Sequence, residues 1–293
     1  MSRTRRHPPT RGRLLAPGLV LLAVVATLTV GTWLQFGERQ ALETRHVAGS
    51  SAPDRVDVDA SIQRVDAAGR ELTLRVLVTP RGRLAEAGGI SPVDELILQT
   101  SPSIRGDLTF RAHSRISTVD VPVTVTDGSI TDYPFDAYDA AIEIGATQGG
   151  VKVPVNMTLS NNDVLFSTSV DASEIDGAAV FDVGLGRSNS VLIFSVFMMV
   201  AMWALAVSVL IGTRFLVTRR KGLVWPALGW MAATLFALAA FRNTAPGTPP
   251  IGCLLDYIAF LWAETVIAFC VITAVAVGVR AETHPAPSPH ATS

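Results

Sequence analysis

The sequence contains little cysteine, lysine or histidine. Its two cysteines, Cys253 and Cys270, lie in one apolar segment of the 293-residue chain, which excludes a disulfide-rich scaffold and a cysteine-rich zinc site. Two of the five histidines, His46 and His113, lie in the long polar part of the chain, far apart and without metal-ligand spacing. We therefore expect no metal site.

The common catalytic motifs are also missing. The sequence has no Gly-x-Ser-x-Gly, no His-Glu-x-x-His, no phosphate-binding loop and no dinucleotide fingerprint. An enzyme is therefore the least favoured class of protein, and we expect no cofactor.

Charged residues make up only 17% of the chain and apolar residues 49%, and four long apolar runs indicate a membrane protein. At about 1.5 Å per residue, each run is long enough for a membrane-spanning helix. A cleaved signal peptide is the alternative for the first run, but the run is long and ends next to Glu38-Arg39, which favours an uncleaved anchor. The four predicted spans are Leu14–Phe36, Asn189–Thr213, Leu223–Phe241 and Cys253–Val279.

The distribution of basic residues predicts the orientation of these spans. Five arginines precede the first span, and the loop 214–222 contains four basic residues, so both segments belong in the cytoplasm. Residues 37–188 and the loop 242–252 then lie outside, and the tail 280–293 returns to the cytoplasm. The two tails, 1–13 and 280–293, have the composition of disordered segments.

The outer segment, residues 37–188, is acidic. It has 13 basic and 22 acidic residues, a net charge of −9 in a chain whose total is −1. This charge argues against nucleic acid or anionic lipid as a partner of the outer segment.

Period-two alternation of apolar residues predicts that the outer segment is a β-sandwich. The clearest case is residues 55–79, where two alternating runs flank a turn at 67–70. No amphipathic helix of ordinary length interrupts the strands, which favours an antiparallel sandwich or a related barrel. The expected fold is therefore an extracytoplasmic antiparallel β-sandwich on a four-helix transmembrane bundle. The other predicted strands are 95–100, 108–116, 119–126, 137–144, 151–159, 163–170 and 178–183, with one helical turn within 80–92.

One loop of the outer segment is a candidate coupling loop. It consists of Tyr133, Pro134, Phe135 and Asp136, where proline restricts the backbone and Asp136 suits a turn. One interpretation is a corner of the sandwich. The other is that the loop contacts the membrane helices beneath it.

The spans contain a candidate polar cluster of Glu264, Asp256, Arg242, Trp203 and Trp230. Acids within a span need a partner or a function, and we expect Asp256 to pair with Arg242 and fix the short loop between their spans. Glu264 lies near the predicted midplane, on much the same face as Asp256. It either accepts a hydrogen bond from Trp203 or Trp230, or serves as a protonatable or ion-contacting site.

The third span carries Gly229, Ala233 and Ala237 at four-residue spacing. Small residues at this spacing permit close packing of helices in membranes. The pattern is common, so it does not identify a particular partner for this face.

Two segments, Tyr133–Tyr138 and the run from Arg242-Asn243 through Pro249-Pro250-Ile251-Gly252 to Trp262-x-Glu264, resemble a family of multi-span membrane proteins from actinobacteria and fungi. This is the family of domain of unknown function 4436, which has no established activity. The resemblance covers residues 50–280 and implies the topology of the chain.

A second, weaker resemblance is to pentameric ligand-gated ion channels, which also join an outer β-sandwich to membrane helices. It rests on the loop Tyr133–Asp136 and on the proline-containing connection from Arg242 to Asp256. The outer segment is shorter than in those channels and has no cysteine pair around the loop. The third span offers only Thr234 as a polar pore-lining residue.

The sequence therefore indicates a multi-pass plasma-membrane protein of unknown activity, with an extracytoplasmic binding, sensory or envelope-assembly domain. The alternative is an ion channel or transport component related in layout to the pentameric channels. The expected partners are the lipid bilayer and either a second copy of the chain or another envelope protein.

Overall fold

The computed structural model describes residues 44–101, 106–219 and 223–283, together with the isolated residues 29, 31, 32 and 37. The predicted first span, Leu14–Phe36, falls almost entirely outside the described residues. The tail 1–13 and residues 284–293 also lie outside them.

Eleven strands in the described residues form two sheets. They are β1 Arg45–Gly49, β2 Val56–Asp66, β3 Glu71–Pro80, β4 Leu96–Ser101, β5 Leu108–Phe110, β6 Val119–Thr124, β7 Ala137–Gln148, β8 Val151–Val153, β9 Val155–Asn161, β10 Phe166–Ile175 and β11 Ala178–Arg187. The first sheet has the order β1-β9-β2-β3-β6 and the second β10-β11-β7-β4-β5, with β8 paired to β7.

The alternation seen in the sequence produces the sandwich core. In β2, Val56, Val58, Ala60 and Ile62 are all buried, and the strand pairs antiparallel with β3 around the predicted turn. Burying one face of each strand removes apolar surface from water, which is the main favourable term in folding. The inward faces of both sheets form one cluster, which confirms the predicted sandwich. The predicted helical turn within 80–92 is also present, as a 3-10 turn at Gly82–Leu84.

Four details of the strands differ from the prediction. The sandwich is not wholly antiparallel, because β2 and β9 run parallel. The predicted strand 151–159 is interrupted at Pro154, so β8 joins the second sheet and β9 the first; a proline without an N–H cannot continue a ladder. The predicted strand 108–116 ends at Phe110, and β1 was not predicted.

Three helices follow the sandwich in the described residues. They are α1 Asn189–Thr218, α2 Trp225–Arg242 and α3 Leu261–Thr283, and one π-helical turn, Asp256–Phe260, leads directly into α3. Two of them are long and apolar enough to cross a membrane: α1, with 30 residues, and the continuous helix Asp256–Thr283, with 28. Helix α2, with 18 residues, coincides with the predicted third span but is not one of these two helices. The described residues therefore support two of the four predicted spans.

The helices pack along a narrow buried stripe. On α1 the stripe recurs every three or four residues, through Val191, Ser195, Met198, Met202, Ala206, Val209 and Thr213, as in left-handed helix pairs. On α3 it includes the small residues Ala263, Ala274 and Gly278.

The small-residue face of α2 does not pack against the other helices among the described residues, so its part in helix packing stays a prediction. Gly229, Ala233 and Ala237 are all exposed, and α2 instead buries Met231 and Leu238. Periodicity alone could not distinguish these two faces, because both are apolar.

Candidate functional site

The loop Tyr133–Asp136 lies between the sandwich and the helices. Tyr133 is fully buried, and its hydroxyl lies 2.8 Å from the Ser195 hydroxyl on α1. Its carbonyl oxygen accepts a hydrogen bond of 3.3 Å from the Leu255 N–H, just before the π-helical turn. The loop therefore contacts two helices, which is the second of the two interpretations of the sequence.

Asp136, in the same loop, forms a buried ion pair with Arg187, the last residue of β11. Arg187 Nε lies 3.0 Å from Asp136 Oδ1 and Nη2 lies 2.9 Å from Oδ2. The two side chains are 3% and 0% exposed. A buried pair of this kind is sensitive to the loss of either member, because the remaining charge is left without water or a partner.

Aromatic residues complete the surroundings of this pair. The Arg187 guanidinium lies 4.2 Å from the ring centre of Phe166 and 5.1 Å from that of Tyr133, a favourable arrangement for a cation. The Tyr138 hydroxyl donates a 2.8 Å hydrogen bond to Asp136 Oδ2. Burial, together with the neighbouring Asp136 charge, raises the pKa of Tyr138, so the hydroxyl keeps its proton and remains a donor.

The loop 243–255 between α2 and the π-helical turn, named the outer loop after its predicted position, also reaches Arg187. Gly247 has a φ of +72°, and a Cβ added there would lie 3.0 Å from Arg187 Nη1. Glycine is therefore required twice, for its backbone conformation and for this close approach. Arg187 consequently joins the sandwich, the loop Tyr133–Asp136 and the outer loop of the helices.

A second buried ion pair fixes that outer loop. Arg242 Nε and Nη2 each lie 2.7 Å from a carboxylate oxygen of Asp256, so the predicted pair is present. The guanidinium also donates to the carbonyl oxygens of Pro249 and Pro250, at 3.0 and 2.9 Å. Asp256 accepts a further hydrogen bond from the Gly252 N–H at 2.7 Å. Arg242 and Asp256 lie at the two ends of this loop, and their contacts with each other and with its backbone therefore fix its conformation.

The rest of the predicted polar cluster does not assemble. The Trp203 indole donates to the Ile258 carbonyl oxygen at 3.1 Å, and Trp230 is exposed. Glu264 is half-buried beside Ala263 of the buried stripe, and none of the hydrogen bonds or ion pairs among the described residues involves it. Trp203 therefore does not donate to Glu264. The alternative role of Glu264, as a protonatable or ion-contacting site, stays a prediction. Ile258 lies in the π-helical turn, where the change from i+4 to i+5 bonding disturbs the backbone ladder and offers the indole an acceptor.

Arg187 is the residue of this site that the sequence analysis missed. A lone arginine at the end of a strand resembles an ordinary surface charge. Its position immediately before Ser188, the N-cap of α1, is the one signal that sets it apart.

Two other features of the described residues bear on chemistry. No group of three His, Cys, Asp or Glu side chains among them is placed to hold a metal ion. A shallow polar depression of about 480 Å³ lies on the outer face of the first sheet, lined by residues that include Arg45, Asp59 and Arg75. Among the described residues, the two ion pairs with both side chains buried lie at the junction between the sandwich and the helices.

Comparison with known families divides the chain at this junction. Residues 46–185 match the family model described as Domain of unknown function (DUF4436), which confirms the first resemblance for the sandwich. The expected extent of that resemblance, residues 50–280, is wrong, because residues 187–281 match a separate model, Domain of unknown function (DUF8686). The run from Arg242 to Glu264 thus belongs to the second domain. No curated protein matches the chain. The buried ion pair crosses the boundary, since Asp136 lies in the first domain and Arg187 begins the second.

Proposed function

We propose that the chain is a multi-pass plasma-membrane protein whose extracytoplasmic sandwich binds a ligand or another envelope protein and transmits that binding to the membrane helices. The observation that carries this proposal is the junction. A buried hydroxyl pair joins the sandwich to α1. A buried ion pair holds Arg187 directly before the N-cap of α1, and the outer loop packs against this arginine.

The exposed surface of the helices supports a position in the membrane. Large apolar side chains are exposed along the whole length of α1, from Ile193 to Phe215, and of α3, from Leu261 to Val279. A soluble protein rarely exposes apolar surface of this extent, whereas lipid chains would cover it.

The distribution of charge supports the orientation. The acidic sandwich lies at the N-terminal end of α1, and Arg214 and Arg219 lie near its other end. At about 1.5 Å per residue the two ends of this 30-residue helix are about 45 Å apart. The positive-inside rule then assigns the basic end to the cytoplasm.

The junction explains how the two parts would communicate. Tyr133 is buried in the core of the helices and lies beneath the Arg187 guanidinium, and Arg187 in turn faces Gly247 of the outer loop. A shift of the sandwich on binding would therefore displace the start of α1 and the outer loop together. Packed interfaces respond to such shifts as units rather than by gradual deformation.

Labelling of single cysteines with a membrane-impermeant maleimide in intact cells tests the orientation. Ser173→Cys, at the far end of the sandwich, should be labelled directly, and Arg219→Cys, at the basic end of α1, only after permeabilisation. The native Cys253 and Cys270 are buried, and the unsubstituted chain gives the background. Labelling of Arg219→Cys in intact cells, with Ser173→Cys protected, would contradict the proposal.

A channel subunit is the second candidate function. The face of α2 formed by Gly229, Ala233 and Ala237 is exposed in the single chain, as required of a helix that meets other copies around a pore. The mass of the purified protein in nanodiscs distinguishes the two candidates. A monomer of 31.1 kDa would exclude the channel, whereas a uniform ring would make ion flux the next assay. In a channel that uses Glu264, Glu264→Gln should change flux while the fold persists.

A further inference from the structure

Three loops at the junction each expose one large apolar side chain. Phe135, in the loop Tyr133–Asp136, is 58% exposed, and Val164, between β9 and β10, is 65% exposed. Ile251, in the outer loop of the helices, is 87% exposed. The family matches do not explain why these side chains are exposed, and none of the three takes part in a buried ion pair.

Hydrogen bonds place all three loops at the level where the helices begin. The Tyr133 carbonyl oxygen accepts from the Leu255 N–H, and the Ser188 N–H donates to the Leu165 carbonyl oxygen. Arg242 Nη2 donates to the Pro250 carbonyl oxygen. Each exposed apolar residue is therefore within two residues of a backbone group bound at a helix end.

The exposed apolar surface of the helices starts at the same level. On α1 it begins with Ile193 and Phe194, in the first two turns, and in the π-helical turn with Tyr257 and Ile258. The loop side chains therefore continue the apolar surface of the helices upward onto the base of the sandwich.

We infer that Phe135, Val164 and Ile251 insert into the outer leaflet of the membrane and seat the sandwich directly on the lipid. This inference rests on the proposed membrane location. Because residues 37–188 have a net charge of −9, attraction to anionic headgroups is not available to hold the sandwich down. Apolar contact with acyl chains does not depend on headgroup charge.

The same seat would hold the coupling loop from the membrane side. Phe135 directly precedes Asp136, whose carboxylate is completely shielded from solvent. Lipid around Phe135 would thus restrict the loop on one side while Tyr133 anchors it to α1 on the other. A movement of the sandwich on binding would then reach the helices only through the junction.

An environment-sensitive fluorophore attached to single cysteines tests the inference. Phe135→Cys, Val164→Cys and Ile251→Cys are labelled with a nitrobenzoxadiazole maleimide, and each full-length protein is placed in phosphatidylcholine nanodiscs. Val151→Cys and Ile175→Cys are the matched controls, because these residues are 67% and 57% exposed but lie at the opposite end of the sandwich. The native cysteines are buried, and the chain without an added cysteine gives the background.

Each junction probe should emit at shorter wavelength than the controls. It should also be quenched several-fold more strongly by 5-doxyl phosphatidylcholine and less strongly by iodide in solution. Adding anionic lipid should leave these differences unchanged. All five substitutions are at exposed positions, and the far-UV circular dichroism of each variant verifies its fold.

Two results would overturn the inference. In one, the junction probes match the controls in emission and quenching, so the loops are in water. In the other, emission shifts to shorter wavelength without quenching by the lipid nitroxide, so protein rather than lipid covers the loops. Either result leaves the membrane proposal standing, whereas a chain that fails to enter nanodiscs contradicts the membrane proposal itself.

Discussion

Replacing Arg187 by methionine is the most informative single change at the junction. Methionine keeps an unbranched apolar stem but removes the three hydrogen bonds that Arg187 donates to Asp136. The shielded carboxylate is then left with the Tyr138 hydroxyl as its donor. Because breaking a buried ion pair typically costs about 3–5 kcal/mol, we expect Arg187→Met to lower the free energy of unfolding by about that amount.

The assay is urea unfolding of the full chain in detergent micelles, followed by far-UV circular dichroism and extrapolated linearly to water. Arg75→Met is the matched control. Arg75 also pairs with an aspartate, Asp120, at 3.0 Å, but both side chains are half-exposed, so its loss should be far smaller.

A double variant separates the charge effect from simple loss of packing. Arg187→Met combined with Asp136→Asn removes both charges of this pair, and the asparagine oxygen can still accept from Tyr138. The double variant should therefore be more stable than Arg187→Met alone. The reasoning is refuted if Arg187→Met costs no more than Arg75→Met, or if the double variant regains no stability.

Three further predictions concern the same site. Because the pKa of Tyr138 is raised in the folded chain, its contribution to stability is fully present below about pH 10, the pKa of an unfolded tyrosine. Above that pH the contribution falls, by up to about 1.4 kcal/mol per pH unit for one proton. Tyr138→Phe should therefore reduce the slope of the free energy of unfolding against pH under alkaline conditions, and an unchanged slope would contradict this prediction. Tyr133→Phe leaves the buried Ser195 hydroxyl without its partner and should cost about 1–3 kcal/mol, with Ser195→Ala adding little in the double variant because both act on one hydrogen bond; full additivity in a double-mutant cycle would contradict this. Gly247→Ala should lower the melting temperature more than Gly177→Ala, because both have positive φ values but only Gly247 faces Arg187; equal shifts would show that the contact is unimportant.

The parts of the fold that depend on local pattern could be predicted from the sequence. The hairpin of β2 and β3 follows from strict alternation on both sides of a turn. The pair of Arg242 and Asp256 could be predicted because only 14 positions and a proline-rich loop separate them. In both cases the interacting residues are close together in the sequence.

The parts that depend on distant contacts could not be predicted. Arg187 is buried because Asp136, 51 positions earlier, meets it, and its charge alone favours an exposed position. Strand β1 starts with two exposed or half-exposed polar residues, Arg45 and His46, and exists because β9 offers it an edge. The partner of Trp203 depends on the π-helical turn in another helix, for which no sequence pattern was available.

The central claim is that the sandwich and the helices behave as one coupled unit, and the tryptophans allow a direct test. All five lie outside residues 37–188, so tryptophan fluorescence carries no signal from the sandwich. Phe181 is fully buried in the sandwich core, and Phe181→Ala should cost about 3–5 kcal/mol. If the account is right, Phe181→Ala shifts the urea midpoint of the tryptophan signal as well as that of the β-sheet signal. A tryptophan midpoint that Phe181→Ala leaves unmoved in the otherwise native chain would contradict the coupling.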